Sequence, residues 1–256
     1  MITKKSPEEI AILAEGGAIL AQILQTLGQA ALAGVSTLEL DDLAMELAAA
    51  AGVEPALLGY HPEFAAVPYP AAVCVSVNNC VQHGIPSAEN VLQDGDVVNI
   101  DMSIAYGGMI VDSGITVGVG EIDEQSRKLI EVTREALALG IKAAQPGNHI
   151  GDIGAAVQRL VESRGFSVVE VLCGHGVGYA IHEAPNIPNY GQAGTGPLIE
   201  VGHVYAIEPI VNIGKPDVVF DDEGDGYSVY TADDSWSAHF EHTVVITPDG
   251  PVILTK

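Results

Sequence analysis

From Ile10 onward, apolar or small residues recur at helical spacing: Ile10, Leu13, Gly17, Leu20, Leu24 and Leu27 share one helical face. Ser6-Pro7-Glu8-Glu9 marks the start, with Ser6 as cap, Pro7 at the first helical position and Glu9 completing a capping box. A second box, Ser36-Thr37-Leu38-Glu39, opens a helix through Leu40, Leu43 and Leu47 that stops near Gly52. The pattern then shifts to apolar, β-branched runs. Residues 72–77 read as a strand, and 97–104 and 109–119 read as paired strands turning at Tyr106-Gly107-Gly108.

Helical signals return over about 123–144 and 148–163, followed by strands around 168–172, 203–211 and 239–247. The order helix, helix, strands therefore occurs twice. Gly34 and Gly147 precede the second helix of each copy, and Gly52 and Gly165 follow it at the same separation. These matches predict one domain over 1–256, made of duplicated halves of about 1–120 and 121–256. A cleft between such halves is the natural place for a site.

Composition narrows the function. The 256 residues are 48% hydrophobic, enough for a large core. Acidic residues outnumber basic ones 34 to 10, for a net charge of −24. That balance argues against direct binding of nucleic acid or of an anionic membrane. The N-terminus lacks the apolar stretch of a signal peptide, and no unbroken apolar run spans a bilayer. Cys74, Cys80 and Cys173 form no CxxC pair, so a zinc knuckle or disulfide framework is not expected and a reducing cytoplasm is.

The informative residues are charged groups inside apolar strands. Asp101 follows Val97-Val98-Asn99-Ile100, and Asp112 follows Met109-Ile110-Val111. Isolated carboxylates there are costly to ionise, and two on adjacent strands repel. Glu208 and Glu241 occupy similar contexts, in Ala206-Ile207-Glu208-Pro209 and Phe240-Glu241-His242-Thr243. His175 lies in Cys173-Gly174-His175-Gly176-Val177-Gly178, where glycines permit close backbone approach to a ligand. A single buried carboxylate is more often a structural hydrogen-bonding group. With so few Lys and Arg to pair them, four carboxylates and an imidazole fit bound cations of the Mn, Fe(II), Co or Zn type better. Five such ligands can hold two ions. His83, in Val81-Gln82-His83-Gly84-Ile85-Pro86, and His182 are two further loop histidines.

At this point the chain resembles the type I methionine aminopeptidases. The resemblance rests on Asn99-Ile100-Asp101, Asp112 eleven residues on, Cys173 to Gly178, His182-Glu183-Ala184-Pro185, Ile207-Glu208-Pro209 and Phe240-Glu241-His242-Thr243. It covers nearly the whole chain. It implies an α/β pita-bread fold, with two pseudo-symmetric halves around a curved antiparallel sheet and helices outside. It also implies removal of the N-terminal methionine from nascent polypeptides, by attack of a hydroxide that bridges two divalent ions.

By the same resemblance Asp101 chelates one ion, Asp112 and Glu241 bridge, and His175 and Glu208 bind the other. His83 meets the scissile amide nitrogen, His182 stabilises the carbonyl oxygen, and Glu208 handles the proton. Leu57, Tyr60, Tyr69, Cys74, Ile181 and Tyr227 line the methionine pocket. A cytoplasmic monomer, in at most passing contact with the ribosome, is expected. Only 25 residues separate His182 from Glu208, which resembles type I rather than type II enzymes.

The chain also departs from the family pattern. Ile181 and Tyr227 stand where an aromatic residue and a tryptophan are usual, Gln82 before His83 is unusual, and the 61–69 loop is long. The acidic stretch 221–226 is not a calcium loop, because its twelfth position is Ala232. It reads as solvated, and it cannot dock a ribosome as the basic residues of some relatives do. Two rivals share the fold: a proline-specific peptidase, and a catalytically silent binding domain, which is expected to lack some of the ligands present here.

Overall fold

The computed structural model describes residues 2–63, 65–221 and 224–256. The first half runs α1 (Pro7–Ala30), α2 (Thr37–Ala51), β1 (Glu54–Pro55), β2 (Cys74–Val77), β3 (Cys80–Gln82), β4 (Val97–Tyr106) and β5 (Met109–Gly118). The second begins with α3 (Glu124–Ala143), α4 (Ile150–Ser163), β6 (Ser167–Val168), β7 (Cys173–Gly176) and β8 (Glu183–Pro188). It continues through β9 (Val204–Ile207), β10 (Ile210–Asn212), β11 (Val218–Phe220), β12 (Val229–Thr231), β13 (Ser237–His239), β14 (Glu241–Thr247) and β15 (Gly250–Ile253).

The helix starts follow the capping chemistry. The Glu9 and Glu39 amides donate to Ser6 and Ser36, whose own amides donate back to the glutamate carboxylates. Asp123 caps α3. Gly34 and Gly147, before α2 and α4, have φ of +91° and +92°; Gly52 and Gly165, after them, have +69° and +82°. Left-handed backbone of this kind favours glycine.

A nine-stranded antiparallel sheet runs β1-β4-β5-β14-β9-β7-β8, with β2 also on β4 and β15 also on β14. Two small sheets accompany it, β13-β10-β6 and β11-β12-β3. Helices α1 and α2 bury Leu13, Leu20, Leu24 and Leu40 in a cluster with Ile100, Met102 and Ile104 of β4. Helices α3 and α4 bury Leu137, Ile141 and Ile153 with Tyr205, Ile207 and Val244. Among the described residues, strand pairing joins β14 to β5 only at Glu241↔Gly114 and His242↔Ser113, so the ladder there is short.

The strand expected around 168–172 shrinks to β6 (Ser167–Val168), and three further expectations change. The strand expected at 203–211 is two strands, β9 and β10, interrupted at Glu208-Pro209, and the one at 239–247 is β13 and β14, interrupted at Phe240. Proline has no N–H for a ladder. At these breaks the backbone crosses between the large sheet and the small one, where Ile210 pairs with His239. Glu208 and Glu241 therefore sit at the crossing points. The third change concerns α1. It has 24 residues, and an 18-residue stretch of it reaches a mean hydropathy of 1.6, so it is long and apolar enough by length and composition to cross a membrane. In the fold, however, Leu13, Leu20, Ile23, Leu24 and Leu27 are buried, and they pack in the cluster that includes β4.

Candidate metal centre and active site

The sheet register gathers the carboxylates. Asp101 and Glu241 both pair with Gly114, and Asp112 pairs with Ser103. Residues two apart on a strand share a face, so Asp101, Asp112 and Glu241 belong to one face at the seam. The row His175–Ala206–Thr243 across β7, β9 and β14 continues that face. Glu208 lies two residues past Ala206. The Thr243 hydroxyl accepts from the Asp112 N–H at 2.9 Å and donates to its carbonyl at 2.7 Å, tying β14 to β5 at the site.

His175 Nε2 lies 3.4 Å from Glu208 Oε1 and 3.9 Å from Asp112 Oδ2. Its Nδ1 sits 2.9 Å from the Gly176 carbonyl, to which it donates, so Nε2 carries a lone pair toward the carboxylates. The flanking glycines serve packing rather than ligand approach. A Cβ on Gly174 would strike the Ala206 carbonyl, and one on Gly176 the Ala184 carbonyl.

Burial pushes Asp101, Glu208 and Glu241 well above the ordinary carboxylate range, and repulsion from neighbouring carboxylates, Asp112 in each case, adds to the effect. Burial raises Asp112 as well and lowers His175 to about 4. Asp101 Oδ1, Asp112 Oδ1 and Glu241 Oε1 are buried without a hydrogen-bond partner among the described residues. Ligand atoms of Asp112, His175 and Glu241 lie within 4.8 Å of one another, as do those of Asp101, His239 and Glu241. Orphaned oxygens, bare imidazole nitrogens and unrelieved repulsion are what a pair of divalent cations sharing Glu241 would satisfy. The donor set fits.

A cavity of about 260 Å³ adjoins this cluster. Every candidate pocket residue lines it: Leu57, Tyr60, Tyr69, Cys74, Ile181 and Tyr227. The rings of Tyr69 and Tyr227 meet edge to face at 5.1 Å. The 61–69 loop is pinched at its base, where the Tyr69 N–H donates to the Tyr60 carbonyl at 2.8 Å and the Gly59 N–H to the Tyr69 carbonyl at 2.9 Å. Phe64 of that loop lies outside the described residues.

His83 and His182 line the same cavity. His83 has φ +60°, an unusual backbone for a non-glycine residue that aims its ring from the turn after β3. Burial and His182 lower its pKa to about 4, so it is neutral at pH 7. His182 bonds through Nδ1 with the Tyr60 hydroxyl at 2.8 Å, and its ring centroid is 4.5 Å from that of His175. Asp222 and Glu223 of the acidic stretch lie outside the described residues. Nearby, Asp225 accepts from the Tyr227 and Ser228 amides at 2.8 and 2.7 Å, fixing the turn into β12.

Sequence reasoning missed His239. It is fully buried, with Nε2 3.8 Å from Glu208 Oε2 and 3.9 Å from Glu241 Oε2. A signal was available: His239 stands two residues before Glu241 in an apolar run.

Unpaired carboxylates, lone-pair imidazoles and an adjoining apolar cavity define a metal-dependent hydrolase centre. The profile of metallopeptidase family M24 matches residues 11–248, and the chain belongs to that family. Within it, a methionine aminopeptidase of Aquifex aeolicus is 42% identical over 98% of this chain and 97% of its own length. The crystal structure of methionine aminopeptidase from Thermotoga maritima superposes with a TM-score of 0.95, at 41% identity and 100% coverage of both chains. A prolidase from Pyrococcus horikoshii superposes at 0.76 with 21% identity, covering 99% of this chain and 63% of that one, a likeness of the shared pita-bread fold alone.

Proposed function

We infer that this chain is a metal-dependent methionine aminopeptidase, which removes methionine from the N-terminus of polypeptides. The observation that carries the reading is the cluster of buried Asp112, His175, Glu208 and Glu241 with half-buried Asp101 beside the cavity. In this proposal those five residues hold two divalent ions, drawn from Mn, Fe(II), Co and Zn. Bound there, such ions supply an activated water and polarise the carbonyl under attack.

The chain's own residues do the rest. Tyr60, Tyr69, Cys74, Ile181 and Tyr227 give the methionine side chain an apolar, polarisable wall. His83 is neutral and meets the scissile amide nitrogen, to which it donates once attack has made the carbonyl carbon tetrahedral and freed that nitrogen's lone pair. His182, oriented by Tyr60, donates to the carbonyl oxygen as charge develops on it. Glu208 takes a proton from the attacking water and passes it toward the leaving amine. Three free cysteines support a reducing compartment, and new polypeptides there are the proposed substrates.

The test is hydrolysis of Met-Ala-Ser by chelator-stripped protein, with and without added Mn, Fe(II) or Co. Free methionine appearing only with metal is expected. No release by folded, metal-loaded protein refutes the reading, and preferential cleavage of an Xaa-Pro dipeptide moves it to the proline-specific branch of the fold.

A further inference from the structure

We propose that His239 is an additional metal ligand, whose Nε2 gives the Asp101–Glu241 position an imidazole nitrogen so that each of two ions is held by one histidine. The proposal rests on the two-ion reading above. Its first support is position. The ligand atoms of Asp101, His239 and Glu241 lie within 4.8 Å of one another, close enough for one ion to touch all three. Nε2 is buried without a hydrogen-bond partner among the described residues, and its distances of 3.8 and 3.9 Å to Glu208 and Glu241 are too long for hydrogen bonds.

The second support is the tautomer. Asn99 Nδ2 donates to Gln82 Oε1 at 3.2 Å, which turns Asn99 Oδ1 toward His239 Nδ1 at 3.3 Å. An oxygen acceptor there places the proton on Nδ1 and leaves the lone pair on Nε2. That lone pair faces carboxylate oxygens and is repelled by them unless a cation lies between. His175 is set in the same way, with Nδ1 on the Gly176 carbonyl and Nε2 toward the carboxylates. A partner on the far nitrogen that orients a ligating histidine is a regular feature of metal sites. Gln82, which has no evident role in the sequence, gains one here: it fixes the amide that fixes the ring.

The third support is room. A Cβ on Gly114 would stand 2.6 Å from His239 Cε1 and 2.7 Å from Nδ1. The ring is therefore seated on a glycine that also lies between Asp101 and Glu241 in the sheet. One nitrogen at each position shifts the pair away from all-oxygen chemistry, toward Fe(II), Co or Zn over Mn.

The experiment uses the full chain, stripped with chelator and titrated with Co(II), as wild type and as His239→Gln. Affinity and stoichiometry are read by calorimetry, and imidazole nitrogens per cobalt by X-ray absorption. Wild type is expected to bind two cobalt ions with about one imidazole nitrogen each. His239→Gln is expected to weaken one of the two by at least about tenfold and to lower the nitrogen count. Two ions bound by the variant with wild-type affinity and an unchanged nitrogen count would overturn the proposal, as would a wild-type count of one imidazole per two ions. Fewer than two ions in wild type would overturn the two-ion reading as well. Should His239→Gln fail to fold, the wild-type nitrogen count decides.

Discussion

Lys5 is the most informative residue outside the site. It is one of only 10 basic residues in the chain, yet it is 5% exposed. Its Nζ lies 2.7 Å from Glu183 Oε2, also contacts the Thr3 hydroxyl, and stands 4.3 Å from the Tyr179 ring centre. The other Glu183 oxygen accepts from the Tyr179 and Ala180 amides at 2.5 and 3.3 Å, holding the turn that carries His182. Lys5→Met would leave a carboxylate whose side chain is 10% exposed without its cation. Breaking a buried pair costs about 3–5 kcal/mol. The Thr3 hydroxyl and the two amides still solvate the anion, so the expected loss is about 2–3 kcal/mol. For a chain of this size that lowers Tm by roughly 5–10 °C. Turnover of Met-Ala-Ser is expected to fall about tenfold as the turn loosens.

Glu183→Gln supplies the control. With no buried charge to strand, Lys5→Met in that background should cost about 1 kcal/mol or less, measured by denaturant unfolding of all four proteins. The pH dependence has a definite sign. Burial alone would raise Glu183, but the bonds from Lys5, Thr3 and the Tyr179 amide outweigh it and hold the carboxyl below its ordinary 4.5. Its contribution is thus present above pH 4.5 and is lost as pH falls through the depressed value. The gap between wild type and Lys5→Met should close in that acidic window. Equal losses in the wild-type and Glu183→Gln backgrounds, or a gap that persists in full at acidic pH, would refute the reasoning.

Asp112→Asn or His175→Ala should abolish turnover while far-UV circular dichroism stays close to wild type. His83→Ala should slow turnover by about 100-fold with metal stoichiometry unchanged, as befits a group that meets the substrate. Divalent metal should raise Tm more at pH 7.5 than at pH 5. Asp101, Glu208 and Glu241 have raised folded-state pKa values, so the metal-free fold loses stability as pH rises through them, and at low pH protons compete with the ions. Thr243→Val should weaken both metal binding and stability, because Asp112 loses two bonds to its backbone, and a wild-type Tm with a wild-type metal affinity would count against that role.

The sequence by itself determined the helices and their starts. Ser6, Ser36 and Asp123 act within a few residues of themselves, so local chemistry suffices. It also exposed Asp101, Asp112, Glu208 and Glu241, because a carboxylate in an apolar run is anomalous wherever the chain goes. Tertiary structure decided what those residues face. Pro209 is a local signal for one break, but the breaks at Glu208-Pro209 and Phe240 coincide because two strands cross together between sheets, and pairing of that range has no local signature. The glycines around His175 looked like room for a ligand and are room for the carbonyls of Ala206 and Ala184. His239 looked like the start of a strand. Its nitrogen became a candidate ligand only through Asn99 and Gln82, far away in sequence, and a glycine from another strand that leaves space for the ring. Local pattern records where a side chain is unusual, whereas only the packed fold supplies the partners that give it a direction.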